Sequence, residues 1–163
     1  MIITIDGVAG AGKTTLAKFM SEEYQGRASV HVVHMDDLYE GWEDPLGPAL
    51  TSKLEKIALA HREGTSCEVV GYDWSSMEAS KLLVIPSVEM LILEGVGSGQ
   101  SSIREFAETK IWIDLEPIVG LRRVLARDGF EIESEMLRFM DQQRDHFIAQ
   151  GTRDAADFHL AGL

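Results

Sequence analysis

Asparagine is absent from the 163-residue chain and cysteine occurs once, as Cys67. Without asparagine the N-K-x-D element that reads guanine cannot be written, which excludes a GTPase-type switch. A lone cysteine excludes an intrachain disulfide and a cysteine-based metal cluster. Cations are also scarce: 15 Lys and Arg stand against 27 Asp and Glu, a formal net charge of −12. General affinity for nucleic acid or for anionic membranes needs a basic face, so neither partner is expected. No apolar run approaches the roughly 20 residues of a membrane span. The first strand starts at once and leaves no room for a signal peptide. The expectation is one soluble, cytoplasmic domain over 1–163, large enough to bury about 70% of the surface its unfolded chain exposes. Repeats and low-complexity tracts are missing as well.

What is present begins at Gly7–Thr14, GVAGAGKT, directly behind the apolar run Ile2-Ile3-Thr4-Ile5. The pattern G-x-x-x-x-G-K-[ST] between a strand and a helix makes a phosphate site. Gly7, Gly10 and Gly12 allow backbone turns that aim successive N–H groups at one anion. Lys13 reaches the β and γ phosphates and the Thr14 hydroxyl can ligate Mg²⁺. Nucleotide contacts are therefore expected from Gly7, Ala9, Gly10, Ala11, Gly12, Lys13, Thr14 and Thr15. Leu16, Phe19 and Met20 follow at helical spacing, so a helix N-terminus also faces the phosphates.

Strand signals fall at Ile2–Asp6, Val30–Met35, Val69–Tyr72, Glu89–Glu94, Lys110–Asp114 and, weakly, Ala156–Leu160. Helical patterns lie between them at about 13–24, 48–63, 99–108, 116–127 and 133–149. Such alternation predicts an α/β domain with a mostly parallel sheet covered on both faces. The stretch of about 37–87 is rich in turn formers and aromatics and reads as an excursion from the sheet.

Ligands of open parallel sheets gather at the carboxyl ends of the strands. Asp36, at the end of the second strand, can accept a proton from an attacking hydroxyl or help order Mg²⁺. Its neighbour Asp37 reads equally well as a cap. Glu94 ends the buried run Met90–Leu93 and can contact Mg²⁺ directly or through water. Arg123 and Arg127, four apart on one helix face, can meet the charge of a transferring phosphoryl group. Tyr39, Trp42, Tyr72, Asp73 and Trp74 can line an acceptor pocket, since planar ligands stack on aromatic faces. The five histidines show no metal spacing and read as structural or surface residues.

Taken in order, these segments resemble the uridine kinase branch of P-loop kinases. GVAGAGKTT is similar to the family's phosphate loop, Asp36-Asp37-Leu38-Tyr39 to its D-S-F-Y segment, and Tyr72-Asp73-Trp74 to its Y-D-F acceptor motif. Leu93-Glu94-Gly95 resembles its E-G-I motif, Arg122–Asp128 its lid arginines, and Thr152–Asp157 the loop beside the adenine ring. The resemblance implies the P-loop NTPase fold: five strands, mostly parallel, in the order 2-3-1-4-5, with helices on both faces and a lid at about 122–145. It implies ATP and Mg²⁺ as cofactors, with Arg153 near the nucleotide and Thr14, Asp36 and Glu94 at the metal. Asp36, Lys13, Arg127 and Arg123 become the catalytic set, and Asp36, Tyr39, Tyr72, Asp73 and Trp74 the acceptor contacts. The chain departs from the pattern at Met77, where the family has a histidine, and at Gly129–Ile132, where it has further arginines. The implied activity is phosphorylation of a small-molecule hydroxyl, with a nucleoside the leading acceptor and a homo-oligomer left open. A monophosphate or other metabolite kinase, for which Arg62 and Arg104 are the loose candidates, is one alternative. An ATP-binding regulatory protein is the other.

Overall fold

The computed structural model describes residues 1–162. At its centre runs β1 (Ile2–Gly7), buried along its whole length, as a strand covered on both faces must be. It pairs in parallel with β5 (Met90–Glu94) on one side and β6 (Thr109–Asp114) on the other. Outside these lie β2 (Val30–His34) and β7 (Phe158–Ala161), so the order is β2-β5-β1-β6-β7. Counting only these five parallel strands along the chain, this is the expected order 2-3-1-4-5.

Alternate residues of one strand serve opposite layers. Leu91 and Leu93 of β5 join the core beneath α3 (Pro48–Arg62), α4 (Pro117–Asp128) and α5 (Glu133–Gln150). Met90 and Ile92 face the other way, where Ala17 of α1 (Lys13–Glu23) closes a second core. Both α3 and α4 place a proline in the first turn, where its missing N–H costs nothing.

Two expectations need correction. No α-helix forms over 99–108, where only a 3₁₀ turn at Ser101–Ile103 is found. Its polar groups are engaged elsewhere: Gln100 Nε2 donates to the Gly97 carbonyl, Arg104 Nε to the Gly99 carbonyl, and Ser101 N to Gln150 Oε1. Side chains that satisfy the local backbone compete with helix formation. The strand signal at Val69–Tyr72 marks β3 (Cys67–Asp73), but β3 joins β4 (Glu78–Ile85) in a separate antiparallel hairpin. Within the 37–87 stretch also lies a single helical turn, α2 (Met35–Leu38), which begins as β2 ends. The carboxyl ends of β1, β2 and β5 thus come together at one edge of the sheet, carrying the phosphate loop, Asp36 and Glu94 respectively.

Candidate active site

The phosphate loop is held from two sides. Gly10 (φ +79°) lies so close to α4 that a Cβ on it would stand 2.4 Å from the Gly120 carbonyl oxygen. Reciprocally, a Cβ on Gly120 would stand 2.1 Å from the Ala9 carbonyl oxygen. From α5, Gln143 Oε1 accepts the Ala9 N–H at 3.0 Å. No side chain caps α1 at Gly12, so the first N–H groups of the helix stay available to an anion. Lys13 Nζ donates to the Gly7 and Val8 carbonyls, each at 2.8 Å. Burial lowers its pKa, opposed by the nearby charges of Asp6, Glu94 and Asp36.

Beneath the loop, the Asp6 carboxylate accepts the N–H groups of Gly7, Gly97 and Gly99. Its pKa is pushed up to about 6 by burial, against the pull of these donors and Lys13. Unfolded, the same carboxyl titrates near its ordinary 3.8. The folded state therefore holds the proton to higher pH, and the stability this group contributes is present below about 4 and lost as the pH climbs through about 6. About two pH units between the states correspond to up to about 3 kcal/mol. Urea midpoints are expected to fall between about pH 4 and 6 and then level off; a steady rise across that window would contradict the assignment.

Asp36 opens onto a cleft of about 780 Å³. Although exposed to that cleft, its carboxyl is ringed by protein, and burial followed by the charge of Glu94 raises its pKa, while Lys13 and Arg127 oppose the shift. The Asp36 carbonyl accepts the indole N–H of Trp74 at 2.9 Å, which fixes both elements together.

Glu94 is buried, and one of its oxygens, Oε1, is shared by the Thr14 hydroxyl at 2.9 Å and His34 Nδ1 at 2.5 Å. His34 stands directly across from Glu94 in the β2–β5 register. Its pKa is raised, chiefly by the hydrogen bond to Glu94. The sequence reading missed His34 because only lateral strand register brings it to the site.

The same cleft is lined by Ala9, Gly10, Gly12 and Thr15 of the loop, by Lys13, Thr14 and Glu94, and by Arg123 and Arg127 of α4. The Arg127 guanidinium forks onto Asp128 with both contacts at 2.6 Å, and Arg123 donates to the Gly10 carbonyl at 3.4 Å. Tyr39, Trp42 and Trp74 line it from the excursion, joined by Met136 and Phe139 of α5, which the sequence reading did not single out.

Five expected site residues stand outside this lining. Gly7 and Ala11 are buried in the loop's base. Tyr72 packs edge-on against Trp74, ring centroids 4.9 Å apart, behind the cleft wall. Asp73 turns its carboxylate onto Ser75 and Ser76, at a register shift between Gly71 and Asp73 that re-aims the strand. Arg153 forks onto Asp114, joining the loop before β7 to the end of β6, and borders a second cleft beside α5. Arg62 stacks over the Phe106 ring, 4.6 Å from its centroid, and Arg104 is held by the Gly99 and Gln150 carbonyls, so both also lie away from the cleft.

No protein-family model matches the chain. Among curated proteins it is 24% identical to a cytidylate kinase of Methanococcoides burtonii, over 98% of this chain and 81% of the relative. It is likewise 24% identical to a uridine kinase of Staphylococcus epidermidis, over 96% and 84%. The chain is similar in sequence to uridine and cytidylate kinases and has the fold of P-loop kinases. A protein described as a possible uridine kinase from Bacillus stearothermophilus shares the fold of this chain with a TM-score of 0.71 at 16% identity, covering 98% of this chain and 88% of that one. A shikimate kinase of Bacteroides thetaiotaomicron superposes with a TM-score of 0.55 at 15% identity, over 99% and 86%. Among the described residues, no helix is long and apolar enough to cross a membrane.

Proposed function

We propose that the chain is an ATP- and Mg²⁺-dependent kinase that phosphorylates a hydroxyl of a small molecule. The observation that carries this reading is the convergence of Asp36, Glu94, Lys13, Thr14 and Arg127 on one cleft at the mouth of the phosphate loop. The donor set suits magnesium: among the described residues no cluster of three or more His, Cys, Asp or Glu could hold a metal alone, whereas Mg²⁺ takes one or two carboxylates together with substrate phosphates. Thr14 Oγ1, Glu94 and Asp36 would hold it, and when bound it would supply neutralisation of the phosphate charge.

The chain's own residues account for the rest. The loop N–H groups and Lys13 cradle the phosphates, and Asp36 accepts the proton of the attacking hydroxyl. As the new O–Pγ bond forms and the Pβ–O–Pγ bridge breaks, Lys13 and Arg127 meet the spreading charge. Glu94, oriented by His34, stays aimed at Thr14. His34→Ala frees that carboxylate and is expected to raise the Mg²⁺ concentration for half-maximal activity by about 10-fold, the usual effect of removing a partner behind a metal ligand. An unchanged Mg²⁺ titration would remove His34 from this role.

A monophosphate acceptor is less favoured, because Arg62 and Arg104 lie outside the cleft. The test is incubation with γ-labelled ATP, Mg²⁺ and pooled nucleosides, sugars and other alcohols, followed by mass spectrometry of labelled product. Transfer to any hydroxyl supports the proposal; slow release of free phosphate alone would favour an ATP-binding regulatory protein.

A further inference from the structure

The part of the cleft built by the excursion and α5 is walled by rings and aliphatic chains. Trp42 and Trp74 tilt against each other with centroids 5.0 Å apart, and Trp42 meets Phe139 edge-on at 6.3 Å. Tyr39 lies 5.8 Å from Phe139, and Pro45, Met77 and Met136 complete this wall.

Two of the three polar handles on these rings are engaged within the protein, which leaves the Trp42 indole N–H. The Tyr39 hydroxyl donates to the Val96 carbonyl at 2.8 Å, and Trp74 Nε1 to the Asp36 carbonyl at 2.9 Å. Several charged side chains of the excursion are also paired with protein groups. Asp73 holds Ser75 and Ser76, Asp37 pairs with Lys81 at 2.8 Å, and Lys53 pairs with Glu40 at 2.9 Å. The charged groups that line the cleft are Lys13, Asp36, Glu94, Arg123, Arg127 and Asp128, all on the phosphate loop, the strand tips or the end of α4.

A ligand body entering such a wall gives up most of its hydrogen bonds to water without replacement. Each unmatched donor or acceptor lowers affinity by about 10-fold, so a nucleobase or a polyol is rejected several times over. A phosphate ester fails for want of a cation on this wall. An apolar or aromatic body gains from contact with every ring it meets.

From this we infer that the acceptor is a neutral alcohol with an apolar or aromatic body, whose hydroxyl is presented to Asp36. The inference rests on the phosphoryl-transfer reading above. The alcohol oxygen forms a bond to the γ-phosphorus of ATP, the bridge to the β-phosphate breaks, and the hydroxyl proton passes to Asp36. The products are a phosphate monoester and ADP.

The test has a binding arm and a transfer arm. By calorimetry, 3-phenylpropanol and geraniol should bind at least about 10-fold more tightly than uridine or cytidine monophosphate, each unmatched polar group costing that factor. Trp42→Ala should weaken the apolar alcohols by about 10-fold. Because Trp42 also packs on Phe139, a second variant avoids the core: Met77 is 53% exposed with φ +58°, a conformation asparagine tolerates. Met77→Asn keeps the turn, adds polar groups to the wall and should narrow the preference for geraniol over uridine by about threefold or more. In the transfer arm, labelled ATP should yield the alcohol's phosphate monoester. Tighter binding or phosphorylation of uridine in preference to both alcohols overturns the inference and leaves the kinase reading standing. Binding of the alcohols and of Mg-ATP with no transfer to any acceptor class overturns both.

Discussion

Asp36→Asn is expected to cut turnover by about 10²-fold or more while leaving the dissociation constant for Mg-ATP within about threefold. The substitution keeps the side-chain volume and leaves the Trp74 hydrogen bond, which goes to the main-chain carbonyl, in place. It removes the ability to take a proton and one negative charge beside the metal, where Thr14 and Glu94 remain. The pH profile adds a second readout. Burial raises the Asp36 pKa, and only the ionised carboxylate can act as base. Activity should therefore fall as the pH drops through a limb lying above the ordinary carboxylate range, and that limb should vanish in the variant. Turnover equal to the parent's would remove Asp36 from the chemistry.

Gly10→Ala is expected to disrupt both the phosphate loop and its seat on α4. A Cβ there meets the Gly120 carbonyl oxygen at 2.4 Å and its Cα at 2.8 Å, both main-chain atoms that cannot rotate away. The φ of +79° adds a left-handed penalty of about 1 kcal/mol for any residue with a Cβ. Together with overpacking of roughly 1–3 kcal/mol, the expected loss of stability is about 2–4 kcal/mol, read from denaturant unfolding. Nucleotide affinity should fall in parallel, because the loop must swing off α4 to make room. Gly120→Ala offers the mirror experiment. Helix propensity alone would make that change stabilising by about 0.5–1 kcal/mol, but the 2.1 Å approach to the Ala9 carbonyl reverses the sign. A more stable Gly120→Ala protein would show that loop and helix are not locked together.

What could be read from the sequence was what is contiguous or repeats with a short period. The phosphate loop is eight consecutive residues, and four of the five parallel strands announce themselves as apolar runs, with β7 only a weak signal. Asp36 and Glu94 were found because chain direction alone puts the ends of parallel strands on one edge. His34 was not found, because its meaning lies in a sideways register against Glu94, 60 residues away. Gln143 reaches Ala9 across 134 residues, and nothing local distinguishes it from the neighbouring polar positions of α5. β4 escaped notice because nearly all of it is exposed, so it lacks the in-out alternation that marks a half-buried strand. The helical expectation over 99–108 failed for a related reason: side chains there answer to the Gly97 and Gly99 carbonyls and to Gln150. The placement of Asp73 turned on one register shift, which sequence periodicity does not encode.

Helix α5 carries a consequence for how the two halves of the cleft communicate. Gln143 grips the phosphate loop at Ala9, the adjacent Gln142 donates to the Glu43 carbonyl at 2.7 Å, and Met136 and Phe139 face the cleft one and two turns earlier. At the far end Gln150 accepts from Ser101. A rod pinned at three places behaves as a beam: it cannot tilt toward one ligand without carrying its other attachments along. Whatever free energy the donor exerts on that beam must reappear, with equal size, in the affinity for the acceptor.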